Sequence, residues 1–106
     1  MIKVSVLYPN TAGSKFDMDY YLKSHTPMVQ QKLGAALKSV AIEEGIAGGG
    51  PGTQPTYRVL CHLGFDSVDS FNAAFAPHAQ AIMGDIPNYT DVSPVLQISE
   101  VVVERS

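Results

Sequence analysis

Strand-like and helix-like patterns alternate along this chain in an order that leaves few folds open. Apolar residues recur at every second position in four segments and at helical spacing in two others. The patterns predict strands over 2–8, 36–46, 57–65 and 95–104, and helices over 17–33 and from 66 or 67 to 84. Their order along the chain is therefore strand, helix, strand, strand, helix, strand.

Right-handed crossovers fold this order into one antiparallel sheet with both helices on the same face. The expected class is α+β, a ferredoxin-like βαββαβ sandwich. The 106 residues are expected to form a single domain. A chain of this length buries roughly two-thirds of its unfolded surface, so it forms a packed core without a disulfide or a metal.

Pro27 lies inside the first predicted helix. Proline lacks the backbone N–H that the carbonyl four residues earlier would accept, and its ring disfavours helical geometry in the preceding residue. We therefore expect either a kink or a first helical segment that ends near Thr26. The position of the kink decides whether Tyr20 or Tyr21 faces the sheet, and the spacing leaves both open.

Charge and hydropathy exclude several classes of partner. Seven Lys and Arg against ten Asp and Glu give a net charge of -3, which offers no basic surface for a phosphate backbone, so nucleic acid is not expected. No segment approaches the ~20 apolar residues of a membrane span, and the N-terminal apolar run is too short for a signal peptide. Cys61, the only cysteine, has no partner within the chain. A cytoplasmic location is expected, because a lone thiol suits a reducing compartment.

The predicted strands carry apolar residues on both faces, whereas an antiparallel sheet covered on one side alternates apolar and polar residues. Only 16% of the residues are charged, below the roughly 25% of an average protein. Both observations favour a second sheet over the free face. Two copies packed about a two-fold axis would supply it, so we expect a homodimer or a higher oligomer built from it.

The first helix carries the most concentrated polar chemistry. Asp17, Tyr21 and His25 are spaced at i, i+4 and i+8, roughly on one helix face. An imidazole that titrates near neutral pH can act as general base or acid, and a phenol can bind a substrate oxygen. His25 and Tyr21 are thus the candidate catalytic residues, with Asp17 occupied as the helix cap. The alternative is a solvent-facing polar stripe.

The second helix supplies candidate wall residues for a ligand cavity. Phe71, Phe75, His78 and Ile82 share one side of it. His78 should therefore point towards the sheet and any pocket there, although a histidine among apolar neighbours is more often a packed core residue. The two phenylalanines are core residues that can also bind an apolar ligand.

Other motifs favour structural roles. The three histidines lack a chelating pair, so no metal is expected. The glycine-rich stretch 47–52 is not followed by Lys-Ser/Thr and opens no helix, so it predicts a mobile hairpin connection rather than a phosphate loop. Asp85, just before Ile86-Pro87, is expected to fix a turn by accepting backbone N–H groups.

Two segments resemble a known family. YPNTAGSKFDMDYYLKSHTPMV is similar to the opening of the EthD family, named for a protein of ethyl tert-butyl ether degradation, and MGDIPNYTDVSPVLQISEV is similar to its second signature. The matching elements occur in the expected order: Tyr8-Pro9, Phe16-Asp17, Tyr20-Tyr21, His25-x-Pro27 and Asp85-Ile86-Pro87-Asn88-Tyr89. Many relatives carry paired histidines where this chain has Ser24-His25, so no role for two adjacent imidazoles is expected.

The resemblance implies the dimeric α/β-barrel superfamily. Its members include cofactor-free monooxygenases, polyketide cyclases and dehydratases, and a lactone isomerase, usually with a pocket between sheet and helices. The shared fold does not choose among these reactions.

The leading hypothesis is a cytoplasmic homodimeric enzyme that acts without a cofactor on a small hydrophobic or aromatic molecule. His25 would move a proton, Tyr21 would stabilise a developing oxyanion, and His78 or Tyr8 would complete the polar end of the pocket. One alternative is a non-catalytic ligand-binding dimer that acts beside an oxygenase. A purely structural dimer with a filled core is the other. An outward-facing His25 would argue against catalysis.

Overall fold

The computed structural model describes residues 1–105, and among these residues four strands form one antiparallel sheet. The strands are β1 (Ile2–Pro9), β2 (Ser39–Glu44), β3 (Tyr57–Phe65) and β4 (Val95–Glu100). They lie in the order β2-β3-β1-β4, with every neighbouring pair antiparallel. This is the ferredoxin-like arrangement that the order of patterns predicted.

Two predicted strands are shorter than their patterns. A 3-10 turn over Gly34–Ala36 delays the start of β2 until Ser39. β4 ends at Glu100 rather than at 104. Beyond Glu100 one more backbone bond follows, from the Val101 N–H to the Met1 carbonyl.

The helices cover one face of the sheet. The first helix, α1, consists of three consecutive stretches, Met18–Tyr20, Tyr21–His25 and Thr26–Leu33. The second helical arm contains α2 (Val68–Phe75), a 3-10 turn (Ala76–His78) and α3 (Ala79–Gly84). The side chains of Asp17 and Ser67 accept the backbone N–H three residues later. The predicted cap at Asp17 is confirmed, and of the two possible starts of the second helix, 66 and 67, the cap is Ser67.

α1 accommodates Pro27 by widening rather than by ending. The stretch Tyr21–His25 is a π-helical turn, in which the Thr26 N–H donates to the Tyr21 carbonyl five residues earlier. Pro27 then falls in the first turn of the next α-helical stretch, a position that suits its fixed φ angle. In place of the kink or break expected near Thr26, α1 is continuous and contains one extra residue. Such π-helical turns are common at functional sites.

The core lies between the helices and the two central strands. One cluster is mainly aliphatic and fills the space below α1 and α2; it includes Val4, Val29, Leu33, Leu63, Phe65 and Phe71. A second cluster at the other end of the sheet is aromatic and consists of Tyr8, Tyr21, Val59 and Tyr89. Phenol hydroxyl groups are thus buried on the helix-covered side of the sheet.

The opposite face of the sheet and the edge strand β4 are only partly covered. Leu60, Leu7 and Val95 are paired across β3, β1 and β4 and form an apolar row on the face away from the helices. Leu96 and Ile98, on the helix side of β4, are 46% and 44% exposed. β4 thus presents apolar side chains on both of its faces. None of the helices formed by residues 1–105 has the length and apolar character needed to cross a membrane.

Candidate functional site

A cavity of about 60 Å³ lies between the sheet and the helices. Most of its wall is apolar and includes Val4, Val29, Leu63, Phe71, Phe75 and Ile82. Its polar lining residues are Tyr8, Tyr21, His25, Thr26, Gln30 and Cys61. An engineered apolar cavity of about 150 Å³ accommodates benzene, so this one accommodates only a few heavy atoms unless its walls move.

α1 brings Tyr21 and His25 to the cavity side by side. Tyr21 is 2% exposed and His25 is 6% exposed, and their rings stack with centroids 5.6 Å apart. Tyr21 is therefore the inward-facing member of the tyrosine pair, while Tyr20 is half-buried. The solvent-facing interpretation of this helix face does not apply to either catalytic candidate.

The Asp85 carboxylate holds the His25 ring in place. Its Oδ2 lies 2.9 Å from His25 Nδ1, and its Oδ1 accepts from the Tyr20 hydroxyl at 2.7 Å and from the Asn88 amide at 2.8 Å. The expectation that Asp85 fixes a turn by accepting backbone N–H groups is wrong, because its side chain is directed across to α1. Sequence spacing could not reveal this contact, since 60 residues separate Asp85 from His25.

Hydrogen bonds continue from His25 to the hydroxyl groups of two buried tyrosines. The Tyr89 hydroxyl lies 3.4 Å from His25 Nε2 and 2.6 Å from the Tyr8 hydroxyl. Tyr89 is 3% exposed and follows the 3-10 turn Ile86–Asn88. Tyr89 was not among the predicted site residues; its place in the Asp85-Ile86-Pro87-Asn88-Tyr89 element was the signal that could have found it.

The direction of these hydrogen bonds follows from the charge on Asp85. Burial opposes ionisation of this carboxyl, but hydrogen bonds from Asn88, Tyr20 and His25 outweigh it and lower its pKa. An ionised carboxylate only accepts, so His25 Nδ1 carries a proton towards it. In the neutral imidazole Nε2 is then an acceptor, and the Tyr89 hydroxyl donates to it.

The buried tyrosines are neutral at physiological pH. Burial raises the pKa of Tyr8 to about 12, and it also raises the pKa of Tyr21 and of Tyr89. The pKa of the Cys61 thiol is raised by burial as well. The groups at the polar end of the cavity therefore serve as hydrogen-bond donors, and none is an anion in the resting protein.

His78 does not lie in the cavity wall. It ends the 3-10 turn Ala76–His78, where Pro77 interrupts the helix, and it is half-buried. The count of i, i+4 and i+7 that placed it beside Phe71 and Phe75 assumed an uninterrupted α-helix. A 3-10 turn advances about 120° per residue instead of the roughly 100° of an α-helix, so the count no longer places His78 on the face that carries Phe71 and Phe75.

His62 lies on the uncovered face of the sheet, opposite Cys61. Its Nδ1 is 2.8 Å from Ser5 Oγ and its Nε2 is 3.4 Å from Glu43 Oε1. The alternation of the strand thus places the two neighbours on opposite faces of the sheet. Within residues 1–105 no group of three or more His, Cys, Asp or Glu side chains is placed to hold a metal ion.

Comparisons with known proteins identify the family. The EthD domain model matches residues 12–93. An EthD-like protein from Ralstonia eutropha JMP134 is 50% identical, with 99% of this chain and 95% of that chain covered and a TM-score of 0.93.

An ethyl tert-butyl ether degradation (EthD) family protein from Bacillus halodurans C-125 shares the fold at 19% identity. Its TM-score is 0.64, with 94% of this chain and 97% of that chain covered. A comparison with curated proteins finds no match. The family match and the half-identical relative agree with the two sequence signatures, and the chain belongs to the EthD family.

Proposed function

We propose that this chain is a cofactor-independent enzyme that transfers protons to and from a small, mainly apolar molecule bearing an oxygen atom. The observation that carries the proposal is the His25–Asp85 pair, joined at 2.9 Å at the polar end of an otherwise apolar cavity. A carboxylate behind an imidazole fixes its tautomer and stabilises the imidazolium that forms when it accepts a proton.

The cavity limits the substrate class. Its walls are aliphatic and aromatic, and its neutral phenols offer hydrogen bonds to a carbonyl or hydroxyl oxygen. We assign Tyr21 as the hydrogen-bond donor to the substrate oxyanion, because it lines the cavity next to His25. A small ketone is the simplest molecule that satisfies these features, since removal of a proton next to its carbonyl develops negative charge on the oxygen.

The test is deuterium exchange at the carbon positions of acetone in D₂O, followed by proton NMR. The wild-type protein should accelerate exchange, and His25→Gln should abolish the acceleration, because an amide can still donate to Asp85 but cannot accept a proton. His78→Gln is the matched control, since it removes a histidine outside the cavity wall. Equal exchange by wild type and His25→Gln would contradict the assignment of His25 as the base.

The same measurement separates catalysis from passive binding. A series of acetone, cyclopentanone and cyclohexanone, monitored by shifts in the protein NMR signals, reports which sizes enter the cavity. Binding without accelerated exchange would support the ligand-binding accessory role, and no binding would support a filled structural core.

A cytoplasmic location goes with the proposal, because the only cysteine is a buried thiol.

We also propose a homodimer. β4 is an edge strand whose Val95, Leu96 and Ile98 are 47%, 46% and 44% exposed. An edge strand with apolar side chains on both faces would aggregate unless something covers it, and a second copy supplies a matching surface. Light scattering at micromolar concentration should give the mass of two copies, and the mass of one copy would contradict the proposal.

A further inference from the structure

The ring nitrogens of His25 are both directed at protein groups. Nδ1 lies 2.9 Å from Asp85 Oδ2, and Nε2 lies 3.4 Å from the Tyr89 hydroxyl. The ring itself is stacked against Tyr21 and tilted against Tyr89, with centroids 5.6 and 4.7 Å away. A molecule in the cavity therefore meets the imidazole ring, while the basic lone pair on Nε2 is occupied by Tyr89.

The Tyr8 hydroxyl provides a route to that lone pair. Tyr8 lines the cavity and is 2% exposed. Its hydroxyl oxygen is 2.6 Å from the Tyr89 hydroxyl, at the short end of the range for such bonds. Tyr89 lies behind the wall and bridges Tyr8 to His25 Nε2. The hydrogen bonds therefore run without a break from the cavity to His25 and on to Asp85.

We infer that Tyr8 and Tyr89 relay the proton between the cavity and His25, and that Asp85 is the positioning residue that sets the direction of the relay. The inference rests on the proposed function and adds catalytic and positioning residues to it. The Asp85 side chain is 17% exposed and also accepts from Tyr20 and Asn88. The far end of the relay is thus partly exposed, whereas Tyr8 at the cavity end is buried.

The transfer is balanced for a bound ketone. The C–H bond next to the carbonyl breaks, and its proton forms an O–H bond with Tyr8, whose own proton passes to Tyr89. The proton of Tyr89 passes to His25 Nε2. The electron pair of the broken bond remains on the ketone as an enolate, whose oxygen accepts from Tyr21. The imidazolium is stabilised by Asp85. The hydrogen now on the Tyr8 oxygen exchanges with D₂O, and the reverse sequence then gives the carbon a deuteron in place of the proton.

The relay makes a different prediction from direct abstraction by His25. Tyr89→Phe keeps the ring that packs on Phe16 and Tyr21 but removes the bridging hydroxyl. It should lower acetone exchange by about 10²-fold or more, the usual contribution of one positioned acid–base group. Tyr57→Phe removes a tyrosine hydroxyl outside the relay and should leave exchange unchanged. If Tyr89→Phe exchanges acetone as fast as wild type while His25→Gln does not, the relay is refuted and His25 acts directly.

A second measurement is independent of any activity. Nitrogen NMR of the histidine rings in the wild-type protein should show His25 with a proton on Nδ1 and none on Nε2. Asp85→Asn presents an amide that can donate as well as accept, so a fraction carrying the proton on Nε2 should appear and exchange should fall with it. If Asp85 has only a structural role, a folded Asp85→Asn variant keeps both the His25 tautomer and the exchange rate of the wild type.

The two measurements separate the two proposals. Absence of wild-type acetone exchange would contradict the proposed function, and the relay would then be judged by the tautomer alone. A wild-type His25 with its proton on Nε2 would overturn the relay whatever the exchange rate, because Tyr89 could no longer donate to that nitrogen. Circular dichroism and thermal melting of each variant confirm that it is folded.

Discussion

Asp85 connects α1 to the segment that follows α3, and Asp85→Ala removes this connection. The carboxylate accepts from the ring of His25, the hydroxyl of Tyr20 and the amide of Asn88. The His25 side chain is only 8% exposed. Its Nδ1–H would therefore lose its acceptor in a place that water reaches poorly.

The expected cost follows from these partners. Removing a charged acceptor and leaving its buried donor unpaired lowers the free energy of unfolding by about 1.5–3 kcal/mol. Tyr20 and Asn88 are less buried, and their donors can turn to water, so each adds about 0.5 kcal/mol or less. Asp85→Ala should thus lower the free energy of unfolding by about 2–4 kcal/mol. Asp85→Asn should cost less, since its amide oxygen can still accept from His25.

Urea denaturation at one fixed protein concentration measures this cost without a contribution from changes in association. Asp66→Ala is the matched control, because its side chain is 69% exposed and its ion pair with Lys38 spans 4.0 Å. That variant should change the free energy of unfolding by less than about 0.5 kcal/mol. If Asp85→Ala is no more destabilised than Asp66→Ala, the Asp85–His25 contact does not hold α1 in place.

The pH dependence of the same variant tests the charge on Asp85. The folded-state pKa of Asp85 is lowered, so its ionised form contributes stability that is fully present above the unfolded value of about 3.9. This contribution is lost as the pH falls through the lower folded-state pKa. The difference in unfolding free energy between wild type and Asp85→Ala should therefore shrink below about pH 4. A difference that stays constant down to pH 2 would show that the carboxylate charge contributes nothing.

Two pairs of variants test the edge strand β4 and the turn that follows β2. Ile98→Glu places a charge on the exposed apolar edge strand and should convert the proposed dimer to a monomer in light scattering. Leu22→Glu, at an equally exposed site on α1, should not; Ile98 is 44% and Leu22 is 47% exposed. Gly45→Ala should lower the free energy of unfolding by about 1–3 kcal/mol, because the new Cβ would overlap the Tyr57 carbonyl oxygen and lie 2.8 Å from Pro55 Cβ. The Cβ of Gly49→Ala meets nothing within 4 Å, so this control should change the stability little. Equal urea midpoints for the two glycine variants would contradict the close approach at Gly45.

The parts of the fold governed by local pattern could be predicted from the sequence. Alternation predicted β1 and β3 to within one residue of their observed ends, and Asp17 caps the first helix as expected. These features depend on neighbours along the chain, whose geometry is fixed by the backbone. The two family signatures also identified the fold correctly.

The site depended on contacts that local pattern does not encode. His78 was predicted to face the pocket because the helical count ignored the 3-10 turn at Pro77. Asp85 and Tyr89 reach His25 across 60 and 64 residues of sequence. Such distances along the chain are bridged only by the packing of α1 against the loop after α3, so no spacing rule could have paired them.

The π-helical turn in α1 has a consequence for how this segment tolerates change in length. The turn holds one residue more than regular α-helical geometry requires. Deleting Lys23 would therefore let α1 close as an ordinary α-helix, with Tyr20 and Val29 keeping their orientation relative to each other. The deletion would instead act inside the turn, where the spacing between Tyr21 and His25 would fall from four residues to three. Transplanting the histidine motif into another scaffold requires carrying the surplus residue along with it.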